Sequence, residues 1–499
     1  MIFDKYCSRK FLFMQFQYLI DDRHLPAVPG FLRQAEITSI CCDSRRVVVG
    51  SLFVGLQGLN GHGGQFAPEA LARGARAVVL DRTAQVSTGG MDGFVLRVDD
   101  ARQFLVEALR RFYEDPSRRI RTIGVTGTNG KTTITYLLES IFRSANHKSG
   151  MIGTIKHRIG SRILAAHNTT PGIVDNFHYL WEMAGDHLDY CLMEVSSHAL
   201  TQGRVAGIHF QGAIFTNLTG DHLDYHKDQE DYFQAKARLF RGLSPESVAV
   251  LNQDDAYARR LTAMTPARIL TYGIDSAADV RPKDVQGGLD HSRLTVAGMG
   301  KEIPIKTCLF GRYNIYNILA AVGFCLCEGI PEDCIRQGIE ALTRVPGRME
   351  HVPTTKGFYV FIDFAHTADA MKNVLAAIRE AGAKRIILVF GCGGDRDRTK
   401  RPLMAEAASR AADFSLVTTD NPRSENPKDI AADITQGFTT KNYRVILDRR
   451  EAIRSALAMA QKDDVVLIAG KGHEDYQIFK DKTIPFHERE IVEQILASV

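Results

Sequence analysis

The chain has 499 residues, of which 44% are hydrophobic and 24% are charged, and its formal net charge is +4. This length predicts about three domains, and the composition is that of a globular protein rather than of a disordered or fibrous chain. The small positive excess includes no block of lysine and arginine, so we expect no nucleic-acid partner.

Nine cysteines are scattered along the chain, and no two of them form a Cys-x-x-Cys pair. An odd number without such pairs argues against a disulfide framework or a zinc ribbon and predicts a reducing compartment. The sixteen histidines contain no His-Glu-x-x-His spacing. We therefore expect the cysteines to be structural and the protein to be cytoplasmic.

The amino terminus resembles a secretion signal peptide but lacks part of the required pattern. Phe11–Ile20 is apolar and follows three basic residues, but two glutamines interrupt it and no small-x-small cleavage site follows. No run in the chain reaches the length of a transmembrane helix, so no membrane insertion is expected. Residues 1–14 are predicted to be an amino-terminal extension, and Met14 is a plausible start of the protein.

Residues 15–117 predict a small α/β domain. Ser51–Val54 and Ala77–Leu80 have the apolar character of strands, and Ala67–Arg73 has that of a helix. The glycine-rich segment Gly55–Gly64 between them either holds a ligand or only turns the chain. The residues alone do not decide between these two interpretations.

Residues 118–344 predict a second domain that opens on Thr126–Thr133, which reads Thr-Gly-Thr-Asn-Gly-Lys-Thr-Thr. A short apolar strand precedes this stretch, and the residues after it are apolar at helical spacing: Ile134, Leu137, Leu138, Ile141 and Phe142. A strand, a glycine-rich turn and a helix together direct backbone N–H groups at an anion. Lys131 would add a point charge and Thr132 a hydroxyl for Mg²⁺. A glycine-rich turn that binds nothing is the alternative, because the spacing is shorter than that of the usual phosphate-binding loop.

Two further strands of this domain end near residues that could bind a metal ion beside the phosphate. Asp189–Val195 contains Glu194 near its carboxyl end, and Ala213–Thr216 is followed shortly by His222. Continuous apolar runs are typical of buried parallel strands, and ligands bind at the carboxyl ends of such strands. A carboxylate there suits a magnesium ion that bridges nucleotide phosphates. A solvated charge at a strand end is the alternative for Glu194.

Residues 345–499 predict a third domain, a doubly wound parallel α/β sheet. Four apolar strands are each followed by a polar cluster: Phe358–Ile362, Arg385–Phe390, Phe414–Thr418 and Val465–Ala469. Helical patterns such as Ala370–Glu380 and Pro402–Ala412 separate them. All four clusters would emerge at one edge of the sheet and form the rim of an active site.

The clusters of the third domain carry both signs of charge. Arg396 and Arg423 suit carboxylates, and Asp420 and Glu474 suit an ammonium group. Together they describe a pocket for an amino acid with more than one charged end. A phosphate site in one domain and an amino-acid site in the next suggest amide formation driven by ATP.

These motifs resemble those of the Mur ligases, the cytoplasmic family that builds the peptidoglycan peptide. The resemblance extends from about Gln15 to the end and rests on Thr126–Thr133 and seven further stretches. These are Asn-Thr-Thr at 168–170, Met-Glu-Val-Ser-Ser-His at 193–198, Asp-His-Leu-Asp-Tyr-His at 221–226, Gly-Arg-Tyr-Asn at 311–314, Gly-Cys-Gly-Gly-Asp-Arg-Asp at 391–397, Asp-Asn-Pro-Arg at 420–423 and Gly-Lys-Gly-His-Glu at 470–474. The resemblance implies three α/β domains: a UDP-binding domain, a central P-loop ATPase domain and a Rossmann-like amino-acid-binding domain.

The resemblance also implies roles for individual residues. ATP would contact Gly127, Thr128, Asn129, Gly130, Lys131, Thr132, Thr133, Asn314, Arg348, Asp363 and His366. The substrate UDP-N-acetylmuramoyl-L-alanyl-D-glutamate would contact the glycine-rich segment and Ser44, Asn168, Thr169, Thr170, Ser196, Gln202 and Arg204. The amino acid would contact Arg396, Asp420, Asn421, Pro422, Arg423, Gly470 and Glu474.

Catalytic and metal roles follow from the same resemblance. Lys131, Glu194, His222 and Lys236 would be catalytic. Mg²⁺ would be held by Thr132, Glu194, His222 and Lys236, the last as a carbamate (N6-carboxylysine). Without the resemblance, a surface lysine in a salt bridge would be the interpretation of Lys236. The protein is expected to act as a monomer.

The amino acid is expected to be meso-2,6-diaminopimelate. Family members that add diaminopimelate carry Asp-Asn-Pro-Arg, and members that add lysine lack that arginine. The physical chemistry agrees, because diaminopimelate differs from lysine by a second carboxylate, which Arg423 and Arg396 would clamp while Glu474 takes the distal ammonium. Leaving Arg423 unpaired beside lysine would cost on the order of 2 kcal/mol or more.

Three alternatives remain at this point: a lysine-adding ligase of the same fold, a folylpolyglutamate synthase, and a non-catalytic nucleotide-binding or scaffold protein. The second should lack residues 15–115 and the Asp-Asn-Pro-Arg cluster. The third should have lost Lys131, Glu194 or Lys236, and all are present. Some positions depart from the family pattern, namely Phe364, Ala368, Gly220 and the segment around Leu59–Gly61.

Overall fold

The computed structural model describes residues 12–58, 61–84, 94–219 and 225–498. Most strands belong to three sheets, of four, eleven and six strands, and three two-stranded ribbons accompany them. None of the helices in this described part of the chain is both long and apolar enough to cross a membrane.

The amino-terminal sheet is small and fully parallel, in the order β3-β4-β7-β8. The strands of this part are β1 (Met14–Gln15), β2 (Glu36–Ile37), β3 (Ser39–Cys41), β4 (Ser51–Gly55), β5 (Gln57–Gly58), β6 (Gly61–His62), β7 (Ala77–Asp81) and β8 (Phe94–Val98). Its helices are α1 (Phe16–Leu19), α2 (Gly30–Arg33), α3 (Ala67–Ala72) and α4 (Ala101–Phe112). The two predicted strands and the predicted helix are confirmed. Met14, assigned above to an extension, pairs with Ile37 between β1 and β2.

The central sheet has β9 near its middle, in the order β12-β11-β10-β13-β9-β14-β15-β16-β17-β18-β19. Its strands are β9 (Arg121–Thr126), β10 (Ser149–Ile152), β11 (Lys156–Ile159), β12 (Arg162–Ala165), β13 (Tyr190–Glu194), β14 (Gly212–Phe215), β15 (Val248–Asn252), β16 (Arg268–Tyr272), β17 (Val280–Gly287), β18 (Ser292–Gly298) and β19 (Lys301–Thr307). The helices of this part are α5 (Lys131–Ser144), α6 (Ile173–Gly185), α7 (Ser197–Thr201), α8 (Gln229–Arg241), α9 (Ala258–Thr262), α10 (Arg312–Cys327) and α11 (Glu332–Ala341).

The parallel pairing of β13, β9 and β14 positions the candidate site. Apart from the exposed Arg121, all three strands are buried, because helices pack on both faces of the sheet, as the continuous apolar sequences predict. The predicted apolar face of α5 is also confirmed, since its five residues are fully buried. The carboxyl ends of the three strands therefore lie side by side, which brings Thr126–Thr133 next to Glu194.

The carboxyl-terminal sheet has the order β20-β21-β25-β22-β23-β24 and is parallel from β21 to β24. Its strands and the nearby ribbon are β20 (Glu350–Val352), β21 (Tyr359–Asp363), β22 (Arg385–Phe390), β23 (Phe414–Val417), β24 (Tyr443–Val445), β25 (Asp464–Ala469), β26 (Tyr476–Phe479) and β27 (Lys482–Pro485). Its helices are α12 (Ala368–Glu380), α13 (Lys400–Ala411), α14 (Pro427–Thr435), α15 (Arg449–Met459) and α16 (Glu488–Ser498). The four predicted strands are neighbours, so the prediction that their polar clusters emerge at one edge is confirmed.

Candidate active site

The stretch Thr126–Thr133 is a tight turn between β9 and α5. Gly127 and Gly130 have φ angles of +145° and +91°, where a side chain would be strained. A Cβ atom on Gly127 would also lie 1.8 Å from Thr216 Oγ1. Lys131 Nζ donates to the carbonyl oxygens of Gly127, at 2.8 Å, and of Thr128, at 2.9 Å. The lysine is therefore folded back onto the turn, and the first residue of α5 brings a cation to it.

Glu194 is buried beside this turn, so the alternative of a solvated charge is wrong. Its Oε2 accepts from Thr132 Oγ1 at 2.9 Å and from Thr154 Oγ1 at 2.8 Å, and its Oε1 accepts from the backbone N of Thr154 at 2.9 Å. Sequence reasoning missed Thr154, although it follows β10, which pairs with β13 in parallel. Thr132 and Glu194 present two oxygen atoms of the kind that Mg²⁺ prefers.

Lys236 is also buried, so the alternative of a surface lysine is wrong as well. It lies on α8 with a relative exposure of 1%, and its Nζ donates to the carbonyl oxygen of Gly127 at 3.0 Å. The ammonium also lies 4.2 Å from the centre of the Tyr232 ring. His222 lies outside the described residues.

A group of polar side chains lies next to Glu194 on the side of α7. Thr170 donates to the carbonyl oxygen of Glu194 at 2.7 Å and accepts from the backbone N of Ser196 at 3.1 Å. Arg204 donates to the carbonyl oxygen of Thr170 at 2.8 Å and to Gln202 Oε1 at 2.9 Å. Burial lowers the pKa of Arg204, but the guanidinium stays charged at neutral pH. Four of the predicted substrate residues therefore form one connected cluster.

The remaining predicted substrate residues are more scattered. Thr169 lies 3.1 Å from Thr154 through their hydroxyls, and Asn168 is exposed beside it. Ser44 lies in the amino-terminal part and donates to Glu69 at 2.8 Å. Of the glycine-rich segment, Leu59 and Asn60 lie outside the described residues.

Arg348 connects the central and carboxyl-terminal parts at the site. Its Nη2 lies 3.4 Å from Thr132 Oγ1, and its guanidinium carbon lies 4.9 Å from the centre of the Phe364 ring. Asp363, at the end of β21, accepts from the backbone N of Met349 at 2.7 Å. Burial raises the pKa of Asp363, and the nearby Arg348 opposes this shift.

Two other residues predicted to contact ATP occupy different surroundings. Asn314 is buried at the start of α10 and accepts from Asn317 Nδ2 at 3.1 Å. Asn317 reaches the turn Thr126–Thr133, because a Cβ on Gly130 would lie 2.4 Å from its Oδ1. His366 is exposed, and its Nδ1 lies 2.9 Å from the carbonyl oxygen of Phe364.

The predicted amino-acid residues cluster at the ends of β22, β23 and β25. Asn421 donates to Glu474 Oε2 at 2.7 Å. A Cβ on Gly470 would lie 2.8 Å from Asp420 Oδ2, so only glycine leaves that carboxylate its place. Arg423 has a φ of +52° and donates to the carbonyl oxygen of Gly394 at 2.8 Å. Pro422 lies between the asparagine and the arginine in this turn.

Arg396 stands on the neighbouring loop and is exposed, with its Nη1 3.5 Å from the carbonyl oxygen of Asp395. This loop is held by Arg401, which sequence reasoning missed. Arg401 is fully buried and donates to Glu425 at 2.8 and 2.9 Å, and Glu425 accepts from the backbone N of Asp395. These bonds lower the pKa of Glu425 and tie the loop of Arg396 to that of Arg423. No local pattern distinguishes such a buried arginine from an exposed one on a helix.

Comparison with known proteins finds matches to family models along the chain. Three family descriptions match: "Mur ligase family, catalytic domain" over residues 36–113, "Mur ligase middle domain" over 125–325, and "Mur ligase, glutamate ligase domain" over 347–472. A relative from Caldanaerobacter subterraneus subsp. tengcongensis is 44% identical over 93% of this chain and 95% of its own length. That relative is named UDP-N-acetylmuramoyl-L-alanyl-D-glutamate–2,6-diaminopimelate ligase.

Solved structures are similar over most of the chain. One described as UDP-N-acetylmuramoyl-L-alanyl-D-glutamate–2,6-diaminopimelate ligase covers 97% of this chain and 99% of its own, with a TM-score of 0.70 and 32% identity. A Mycobacterium tuberculosis folylpolyglutamate synthase, complexed with ADP and AMPPCP, covers 74% of this chain and 92% of its own, with a TM-score of 0.61 and 20% identity, which shows a shared fold alone. The predicted family and the predicted three-domain α/β fold are confirmed, and the chain belongs to the Mur ligase family.

Proposed function

We propose that the protein is an ATP-dependent, ADP-forming ligase that joins meso-2,6-diaminopimelate to the D-glutamyl γ-carboxylate of UDP-N-acetylmuramoyl-L-alanyl-D-glutamate. The names of the relatives support this reaction. We also keep the boundaries 15–117, 118–344 and 345–499 as the proposed domains for UDP, ATP and the amino acid.

One observation carries the proposal: the phosphate-binding turn and the amino-acid cluster are linked through the segment that joins their two sheets. Arg348 reaches Thr132 in the turn. Its neighbour Gly347 packs so closely against the amino-acid cluster that a Cβ there would lie 2.3 Å from the backbone N of His473. His473 directly precedes Glu474. A nucleotide in the turn and an amino acid at the cluster would therefore both lie close to one short segment.

The residues present fit a nucleotide and Mg²⁺. The turn offers backbone N–H groups, and Lys131 offers a charge for phosphate oxygens. No three His, Cys, Asp or Glu side chains cluster as a ready metal site among residues 12–58, 61–84, 94–219 and 225–498. This matches Mg²⁺, which usually takes one or two carboxylates and completes its shell with phosphates and water. Thr132 and Glu194 would hold it with His222 and the carbamate of Lys236, and the bound ion would offset phosphate charge.

The reaction then proceeds in two displacements. A γ-carboxylate oxygen of the substrate attacks the γ-phosphorus of ATP, the bond to ADP breaks, and an acyl phosphate forms. The amine nitrogen of diaminopimelate then attacks the acyl carbon, and phosphate leaves. In the first displacement Lys131 would stabilise the charge that develops on the phosphoryl oxygens. Thr170, Ser196, Gln202 and Arg204 would hold the muramoyl dipeptide beside Glu194.

The experiment that tests the function is phosphate release from ATP with UDP-N-acetylmuramoyl-L-alanyl-D-glutamate as acceptor. Diaminopimelate, lysine, and a folate with glutamate are compared. We expect release with diaminopimelate, far less with lysine because Arg423 would be left without its carboxylate, and none with the folate. Preference for lysine would contradict the proposal, as would turnover of the folate.

Carbamylation of Lys236 gives a further testable prediction. Carbon dioxide adds to the neutral amine of a buried lysine and turns a cation into an anion, as a magnesium ligand requires. We expect a carbamate signal in ¹³C NMR spectra of protein equilibrated with ¹³C-labelled bicarbonate. In Lys236→Met this signal should disappear, and kcat should fall about 100-fold. The exposed Lys227 provides the control, since Lys227→Met should keep both the signal and the activity. A signal that persists in Lys236→Met would contradict the assignment.

A further inference from the structure

Lys471 is fully buried directly beside the proposed amino-acid site. Its relative exposure is 0%, and its Nζ donates to Asn421 Oδ1 at 3.0 Å and to Glu474 Oε2 at 2.9 Å. Lysine is almost never fully buried without such partners, because its ammonium loses the stabilisation of water. Both partners belong to the site, whereas no role has yet been given to the lysine.

The three side chains form a closed triangle of hydrogen bonds. Asn421 Nδ2 donates to the same Glu474 Oε2 at 2.7 Å, and Asn421 Oδ1 also accepts from the backbone N of Ile478 at 3.0 Å. Only one orientation of the Asn421 amide satisfies this set, because its oxygen must face two donors and its nitrogen a carboxylate. Lys471 thus fixes the orientation of the amide and the position of the carboxylate together.

The triangle leaves the two oxygens of Glu474 in different states. Oε2 receives both Lys471 and Asn421, whereas no hydrogen bond from another described residue reaches Oε1. The side chain retains 20% of its exposure, so it is within reach of a ligand. A carboxylate held on one side by a buried cation can accept an ammonium group on its other oxygen.

We propose that Lys471 is a positioning residue for amino-acid specificity, which presents Glu474 Oε1 to the distal ammonium of the incoming amino acid. The inference rests on the proposed function and extends it. Asn421 couples this end of the site to Arg423, which follows it by two residues in the same turn. Lys471 therefore helps to fix the spacing between the group that takes the ammonium and the group that takes the distal carboxylate.

The test compares two amino acids in Lys471→Met, which keeps the length of the side chain and removes its charge and donors. Diaminopimelate has the distal ammonium, whereas 2-aminopimelate keeps both carboxylates and lacks it. We expect kcat/KM for diaminopimelate to fall about tenfold to 100-fold, the range for hydrogen bonds to charged groups, and that for 2-aminopimelate to change less than about threefold. The KM values for ATP and the UDP substrate should stay unchanged. Lys480→Met, at an exposed lysine nearby, is the matched control.

Equal losses with both amino acids would overturn the inference and make Lys471 merely structural. Unchanged use of diaminopimelate would also overturn it. If Lys471→Met does not fold, Lys471→Gln replaces it, because this variant keeps a hydrogen-bond donor without the charge. The ratio of kcat/KM for diaminopimelate to kcat/KM for 2-aminopimelate is then measured in that variant. If the wild-type enzyme does not use diaminopimelate, both the proposed function and this inference are overturned. If the wild type uses diaminopimelate and only the Lys471 variants give the contradicting result, this inference alone is overturned.

Discussion

Replacing Lys131 by methionine is expected to lower kcat for phosphate release about 10³-fold. The lysine is held against the phosphate-binding turn by the carbonyl oxygens of Gly127 and Thr128, at 2.8 and 2.9 Å. Its charge would act on the γ-phosphoryl oxygens, where negative charge is spread in the transition state. Backbone N–H groups and the start of α5 remain in the variant, but they carry only partial charges.

Folding should survive this change. Methionine and lysine have similar helix propensities, and Lys131 is the first residue of α5. The melting temperature without ligand should therefore fall by only a few degrees, since the hydrogen bonds that Lys131 donates to the turn are worth about 1–3 kcal/mol against the large unfolding entropy of a chain this long. Lys148→Met, at an exposed lysine, controls for the loss of one positive charge. A kcat within threefold of the wild type would contradict the assignment of the turn.

The second large effect is expected at Arg423, which we propose selects the amino acid. Arg423→Gly should lower kcat/KM for diaminopimelate at least about 100-fold, because the distal carboxylate then enters a partly desolvated pocket without a partner. The KM for ATP should change less than about twofold, because the nearest contacts of Arg423 are to Gly394 and Ile478 on the carboxyl-terminal part. Initial rates with each substrate varied in turn provide the measurement.

Glycine is the informative replacement because Arg423 has a φ of +52°. Arg423→Ala removes the same guanidinium and keeps the Cβ that the wild type already has in the left-handed region, whereas Arg423→Gly relieves that strain of about 1–2 kcal/mol. Both variants should lose diaminopimelate use equally, whereas the glycine variant should melt at a higher temperature than the alanine variant. Lysine, which has no second carboxylate, should be used better by the variants than by the wild type, because the guanidinium that it leaves unpaired is gone. An equal loss of ATP affinity would show that Arg423 has a general structural role instead.

Much of the site could be predicted because its parts are local in sequence. The strand before Thr126–Thr133, the glycines within it and the apolar face of α5 are properties of adjacent residues. The same is true of the polar clusters after β21, β22, β23 and β25. Once the strands are parallel, their carboxyl ends must meet at one edge of the sheet, so the order of polar clusters along the chain already predicts a shared rim.

The tertiary structure alone decided which side chains are buried and what they contact. Lys236 meets Gly127 across 109 residues of sequence, and Arg348 meets Thr132 across 216. Arg401 gave no local signal for the same reason, and nothing in the Gly-Lys-Gly-His-Glu stretch indicated that Lys471 is buried. A buried charge is stable only when partners satisfy it, and those partners come from distant loops that the packing of the sheets brings together. The sequence by itself therefore determined the family, the fold and the types of charged group in each cluster. The tertiary structure determined which of these charged side chains are buried and which partners hold them in position.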